Sequence, residues 1–352
     1  MDAHARAARQ GPAASRAGAP AAGATHGDPM ERIEPQEAIA RDGTRLHWTN
    51  HGSGEPAVVL TDGIGCAGYV WRAIEPALAG RHRTIHWNYR GHGRSAPPAD
   101  PARVGLEDCV DDLLAVLDAA GERSAVIAGH SMGVQVALEL HRRAPERVRG
   151  LVLVCGAPGR PIDTFHDSPV LRLAFPFARA LVERFPEAVR TGFRVLLPSE
   201  LAMQYALQFE VDRDRVQRAD LTRYFDDLSR VEPTLFVRML ASAAEHDCLP
   251  HLHEVEVPTL VVAGERDSFT PLRLSERMHA EIPGSEILVV PGGTHVAPLE
   301  APDLVAERVL GFLEARVPSA PPRKPRKPRA AATKRGRPAG KRRRPAATRR
   351  PE

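Results

Sequence analysis

Cysteine is scarce in this chain: 352 residues contain four, Cys66, Cys109, Cys155 and Cys248. They lie far apart and form no C-x-x-C pair, which excludes zinc-site spacings and a disulfide framework and fits reduced thiols in a cytoplasm. Long apolar runs are also missing. None approaches the roughly 20 residues that a membrane helix requires, and the first 29 residues, rich in Ala and Gly, lack the apolar stretch of a secretory signal. The expectation is therefore a soluble cytoplasmic protein. Large apolar side chains are too few in residues 1–29, and again in 318–352, to offset the entropy of ordering, so both ends are expected to be disordered.

A 43% hydrophobic content over 352 residues is enough for a proper core. The formal net charge of +4 hides two opposed parts. Residues 318–352 hold 14 Lys or Arg against one acid and so carry +13, which leaves −9 on residues 1–317. Only the tail is credited with attraction to polyanions.

From about residue 44, short apolar β-branched runs alternate with helical patterns. The strand candidates are 57–61 (AVVLT), 83–87 (RTIHW), 124–129 (SAVIAG), 150–156 (GLVLVCG), 259–264 (TLVVAG) and 286–292 (EILVVPG). Runs apolar on both sides of the pleat suit a parallel sheet covered on both faces. Between strands, Leu106, Val110, Leu113, Leu114 and Leu117 mark one face of a helix that Gly121 ends. A last helix opens at Pro302, with Leu304, Val305, Val309 and Phe312 expected inward. This is the α/β pattern. The rhythm breaks between about 160 and 250, where no convincing strand occurs and Pro176, Pro186 and Pro198 punctuate short helices. An inserted helical lid is expected there, with Phe175, Phe177, Phe185, Phe193, Leu196, Leu197 and Phe209 as apolar walls for a ligand.

Ser131 stands in Gly-x-Ser-x-Gly, after the run AVIAG and before a helix. Glycines two residues to either side allow a tight strained turn that pushes the hydroxyl out of the sheet's carboxyl edge. Asp267 follows a buried strand in VVAGERDSFTP, and His295 follows the next in VVPGGTHVAPLE. The order serine, acid, histidine is the one this chemistry takes on an α/β sheet. His295 would take the proton of Ser131, while Asp267 would fix the tautomer. Negative charge on a carbonyl oxygen needs donors, and the N–H of Met132, at a helix N-terminus, supplies one. The loop VVLTDGIGCAGYVW offers the second from Ile64, with Gly65 as the alternative. Glu265 is the alternative acid, but its side chain leaves an extended segment on the opposite side. His130 and His92 are read as packing or hydrogen-bonding residues, and Cys66 as a small buried residue or else a reactive thiol. His246 and Asp247 are given no chemistry.

The motifs DGIG (62–65), NYRGHGRS (88–95), GHSMG (129–133), GERD (264–267) and GGTHVAPLE (292–300), in this order, resemble the α/β-hydrolase fold family over roughly 35–315. The resemblance implies an α/β-hydrolase fold, with a mostly parallel central sheet, helices on both faces and the inserted lid, spanning 30–317. Asp62 stands where many members have histidine, and Asn88 where many have aspartate. The implied activity is cofactor-independent serine hydrolysis of an uncharged carboxylic ester or related acyl compound, through an acyl-enzyme. Carbon–carbon hydrolysis, thioester hydrolysis and perhydrolysis use the same triad, whereas aspartate-nucleophile chemistry is disfavoured by Ser131. No cofactor and no metal is expected, and the partner is a small acyl substrate. A hydrolase fold serving only as a ligand-binding or DNA-associated protein is the rival class.

In the tail, Lys334 to Pro338 (KRGRP) resembles an AT-hook, in which Arg335, Gly336, Arg337 and Pro338 would enter a narrow A·T-rich minor groove. Nonspecific polyanion binding or simple solubilisation remain the alternatives, and any such binding would weaken steeply with salt.

Overall fold

The computed structural model describes residues 35–319, so the N-terminal extension and the tail segment Arg335 to Pro338 lie outside the described residues. Eight strands form one sheet: β1 (Gln36–Ile39), β2 (Arg45–His51), β3 (Val58–Thr61), β4 (Thr84–Trp87), β5 (Ala125–His130), β6 (Val148–Val154), β7 (Thr259–Gly264) and β8 (Glu286–Val290). Their order is β1-β2-β4-β3-β5-β6-β7-β8. β1 pairs antiparallel with β2, and β2 with β4, whereas all later neighbours are parallel.

Period-2 alternation explains why the inner strands are apolar throughout. In β5, Ala125 and Ile127 join one core while Val126 and Ala128 join the other; in β6, Leu151 and Leu153 divide from Val152 and Val154 in the same way. The first core lies under α2 (Leu106–Ala119) and α3 (Met132–Arg143), the second under α1 (Glu75–Ala79) and α11 (Pro302–Arg316). In α11, Val305, Val309 and Phe312 are buried at i, i+4 and i+7. Leu304 falls one position off that stripe and is 41% exposed, contrary to the expectation from sequence.

β3 is followed in sequence by β4 on one side of it and by β5 on the other. Connections leaving in opposite directions open a crevice at the carboxyl ends of β3 and β5, the usual ligand position in such sheets. Five helices stand between β6 and β7: α4 (Val170–Arg184), α5 (Pro186–Leu196), α6 (Glu200–Phe209), α7 (Arg218–Arg230) and α8 (Pro233–Glu245). α9 (Leu272–Glu281) follows β7, and the short α10 (Ala297–Glu300) precedes α11. Pro186 takes the first position of α5, where no N–H is missed, and Pro198 separates α5 from α6. Pro176, by contrast, does not break a helix as expected; it sits inside α4, where Phe175 and Val182 are buried and hold the turns around it. Packing there outweighs the one backbone bond that proline forfeits.

The turn before β2 and helix α2 are tied to the loop after β4 by one buried cation. Arg90 donates through Nε and Nη2 to both Asp112 oxygens at 2.7 and 2.6 Å, and through Nη1 to Asp42 at 3.0 Å. Arg90 and Asp112 have almost no solvent contact, so removing Arg90 leaves the Asp112 carboxylate buried without its counter-charge. Arg90→Met is expected to lower unfolding free energy by about 3–5 kcal/mol in urea titration, and adding Asp112→Leu to recover much of that loss.

Candidate active site

Ser131 closes β5 and opens α3 with φ 55° and ψ −117°, a region that side chains other than glycine rarely occupy. Two glycines make the turn possible. A Cβ on Gly129 would fall 2.2 Å from the Gly133 carbonyl oxygen, and one on Gly133 would fall 2.5 Å from that of Thr61. The turn is pinned by the Ser131 N–H, which donates to Val154 at 3.0 Å, so β6 fixes the height of the hydroxyl.

His295 lies in the loop after β8, and its Nδ1–H points at the Asp267 carboxylate, 3.1 and 3.0 Å from the two oxygens. Asp267 also accepts from Phe269 N–H, Thr270 N–H and the Thr270 hydroxyl, each at 2.9 Å. Burial alone would favour the neutral acid; the His295 imidazole and these donors overcome it and hold the carboxyl below its ordinary value. With Nδ1 engaged, Nε2 is the nitrogen available to accept a proton. Phe269 stacks on the imidazole at 4.8 Å between centroids and 20° between planes. The loop itself hangs on Glu300, which accepts from Thr294 N–H at 2.6 Å, the Thr294 hydroxyl at 2.7 Å and Asp212 N–H at 2.9 Å. Sequence reasoning gave Thr270, Phe269 and Glu300 no role; the usable signal was the polar Thr in DSFTP and the acid ending GGTHVAPLE. Glu265, the alternative acid, turns away and accepts from Gly292 N–H at 2.7 Å.

His130, next to Ser131, donates from Nε2 to the His295 carbonyl at 2.9 Å. Burial, helped by His295, lowers its pKa to about 3, so it stays neutral and acts as a strut between the two loops. His92 is buried with Nδ1 3.0 Å from the Arg90 carbonyl, away from these loops.

After β3, Gly63 brings the chain against the serine: a Cβ there would stand 3.0 Å from Ser131 Cβ and 3.5 Å from its Oγ. Among the described residues neither the N–H of Ile64 nor that of Met132 has an acceptor in the fold. Gly65, at φ 78°, completes the bend against Leu228. Asp62, which departs from the common histidine, anchors this loop. Its carboxylate accepts from His86 Nε2 at 2.8 Å and its carbonyl from the Tyr89 hydroxyl at 2.8 Å. Burial opposes charging His86, but Asp62 prevails and holds its pKa above the ordinary value. Cys66 is buried, donates weakly to the Ile64 carbonyl, and has its thiol pushed well up by burial, an inert state.

Ser131, His295, Met132, Ile64 and Gly63 line one cavity of about 220 Å³. Its aromatic walls are Tyr69, Phe165, Tyr224, Phe236 and Phe269, none of them among the wall residues expected from the sequence. Of the expected wall residues, Leu196 and Leu197 line a neighbouring space. Phe175 packs against Ile162 and Ala241, while Phe177, Phe185 and Phe209 face solvent because the helices turn other faces inward.

Residues 56–302 match the family model for the α/β hydrolase fold. The chain belongs to that family. A relative from Azorhizobium caulinodans, which carries the provisional name carbamate hydrolase RutD, is 33% identical over 270 residues, spanning 76% of this chain and 94% of its own. A hydrolase structure from Pseudomonas aeruginosa PA01 is 26% identical with a TM-score of 0.65 over 81% of this chain and all of its own. A thermophilic esterase from Thermogutta terrifontis shares the fold with a TM-score of 0.66, at 24% identity over 80% of this chain and 98% of its own. Among the described residues of this α/β hydrolase no helix is long and apolar enough to cross a membrane.

A second group of donors converges in the hydrolase: Glu139, His246 and Cys248, with ligand atoms within 4.8 Å of one another. It is already neutralised. Arg142 donates to both Glu139 oxygens at 2.8 and 2.6 Å, Gln135 Nε2 meets His246 Nδ1 at 3.2 Å, and burial lifts the Cys248 thiol to about 12. The imidazole of His246 is thus shared between Gln135 on one side and Glu139 and Cys248 on the other. The cluster pins the end of α8 to α3.

The strain at Ser131 is measurable. Ser131→Gly relieves about 1–3 kcal/mol of backbone strain and restores up to about 1 kcal/mol of chain entropy to the unfolded state. A rise of about 2–4 °C in thermal midpoint is expected by calorimetry; a lower midpoint would contradict a strained turn.

Proposed function

We propose that this hydrolase cleaves an uncharged carboxylic ester through an acyl-enzyme, with Ser131 as nucleophile, His295 as general base and acid, and Asp267 as its orienting carboxylate. The observation that carries the reading is the carboxylate-bound His295 sharing one cavity with Ser131 on its strained turn.

In the first half-reaction Ser131 Oγ bonds to the carbonyl carbon as its proton passes to His295 Nε2. The carbonyl oxygen becomes an oxyanion held by the N–H groups of Met132 and Ile64, the former at the start of α3 where the helix dipole adds to the field; Gly65 is the alternative to Ile64. The bond to the leaving oxygen breaks, and His295 returns the proton to that oxygen. Water then attacks the acyl carbon, gives its proton to His295, and Ser131 recovers it as the acid departs. Asp267, kept ionised by its four donors, stabilises the imidazolium in both halves.

A second reading draws on the 33% identical relative: a carbamate would pass through the same steps, with the carbamoyl group on Ser131. Short nitrophenyl esters and nitrophenyl carbamates assayed side by side separate the two. A fluorophosphonate is expected to add its mass to Ser131, seen by peptide mass spectrometry, and Ser131→Ala to lower kcat/KM by about 10⁴-fold or more. Turnover unaffected in Ser131→Ala would remove the mechanism.

Asp267→Asn tests the carboxylate in two ways. It should lower kcat by about 10⁴-fold through the wrong tautomer. Because the folded pKa is depressed, the carboxylate contributes stability above its unfolded value, near 4, that fades as pH falls through the folded one. The variant's stability in acid should therefore depend less on pH than the wild type's.

A further inference from the structure

The reacting residues sit between two apolar compartments of unequal size. The smaller, of about 220 Å³, is lined by Ser131, Ile64 and Met132, and closes against Ile162, Leu240 and Ala243. The larger, of about 670 Å³, contains none of these. It shares Tyr69, Phe165, Tyr224, Phe269 and His295 with the smaller, and these five residues form the neck between them.

The chemistry assigns the two spaces. While the acyl group is on Ser131, its carbon is bonded to Oγ and its oxygen faces the N–H donors, so its chain occupies the compartment that holds those atoms. The leaving oxygen must lie within hydrogen-bond reach of His295 Nε2 to receive its proton. The larger compartment touches His295 but not Ser131, so a group attached to the leaving oxygen has its room there.

Resting on the acyl-transfer reading above, we infer that the substrate carries its large apolar part on the alcohol side: a long or bulky uncharged alcohol esterified to a compact acyl group. The wall supports an uncharged chain. Leu197, Ala202, Ala206, Leu221 and Phe225 line it, and among the described residues no arginine or lysine does. Its single carboxylate, Glu210, is already engaged by the Ser268 hydroxyl at 3.3 Å and His166 at 3.3 Å, so the compartment offers an anionic chain end nothing and repels it. The outer rim is apolar as well. Leu196, Leu201 and Tyr205 line the compartment while being 62%, 78% and 54% exposed, so a chain longer than the cavity can run out along α6. Isolated exposed apolar residues need no explanation, but two leucines and a tyrosine at the mouth of an apolar cavity beside the reacting histidine do. A small carbamate would leave this space empty.

Two ester series test the inference on the full-length protein. In the first, acetates of methyl through decyl alcohol vary only the leaving side; in the second, methyl esters of acetate through decanoate vary only the acyl side. A fully buried methylene is worth nearly a fourfold gain, so half burial gives about twofold for each and about thirtyfold in kcat/KM from methyl to hexyl acetate. The acyl series is expected to fall once the smaller compartment is full. Ala206→Trp, which fills the larger compartment, and Leu201→Asp, which charges its rim without touching the core, should each flatten the alcohol series, read as the ratio of hexyl to methyl acetate, with thermal midpoints confirming that each is folded. A flat alcohol series in the wild type, or a rise in the acyl series instead, overturns the inference while leaving the serine mechanism standing. Failure to hydrolyse any ester, together with an unlabelled Ser131, would sink the mechanism itself.

Discussion

No side chain fits between the end of β5 and the start of α3, and the site depends on that contact. Gly129 meets the carbonyl of Gly133, Gly133 meets those of Thr61 and Asp62, and the residue between them is driven into a conformation that costs free energy. The same close approach brings the loop after β3 against Ser131, so one packing constraint sets the hydroxyl and the neighbouring N–H groups at once. A larger residue at either glycine would separate two elements as well as crowd a side chain.

Around this contact, the polar groups are arranged so that most charge is fixed before any ligand arrives. Asp267 is ionised because His295 and Thr270 outweigh burial, and His130 is neutral because nothing outweighs it. Asp62 outweighs burial at His86 and holds its pKa above the ordinary value, with the 2.8 Å contact lying beneath the loop that carries Ile64. Each outcome is decided by whether a buried group has a partner, since desolvation acts on all three in the same way. Glu300 extends the scheme outward by tying the His295 loop to Asp212 in the helical insertion.

The parts of this molecule differ in how plainly they could be read. The inner strands were legible because β-branched residues fill both faces of the pleat, as at Val126 and Ile127, and the helix stripe from Leu106 to Leu117 was legible from its spacing. Leu304 and Pro176 misled, the first by one position of helical phase and the second because neighbouring packing overrode a local rule. The walls of the site were the least legible. Phe177 and Phe209 differ from Phe165 and Phe269 only in which way their segments face, and composition carries no record of that.

Sequence by itself determined the six strands β3 to β8, the strained turn at residue 131 and the succession of serine, acid and histidine, because these follow from periodicity, from glycine's missing side chain and from position after a buried strand. Only the tertiary structure decided that Thr270 and Glu300 would hold the acid and the histidine loop, that Asp62 would pair with His86, and that a small chamber and a large one would meet at His295. Some of these relations join distant residues, as Asp62 with His86 and Glu300 with Asp212; the local ones, Thr270 with Asp267 and Glu300 with Thr294, depend on loop geometry that exists only once the sheet has packed.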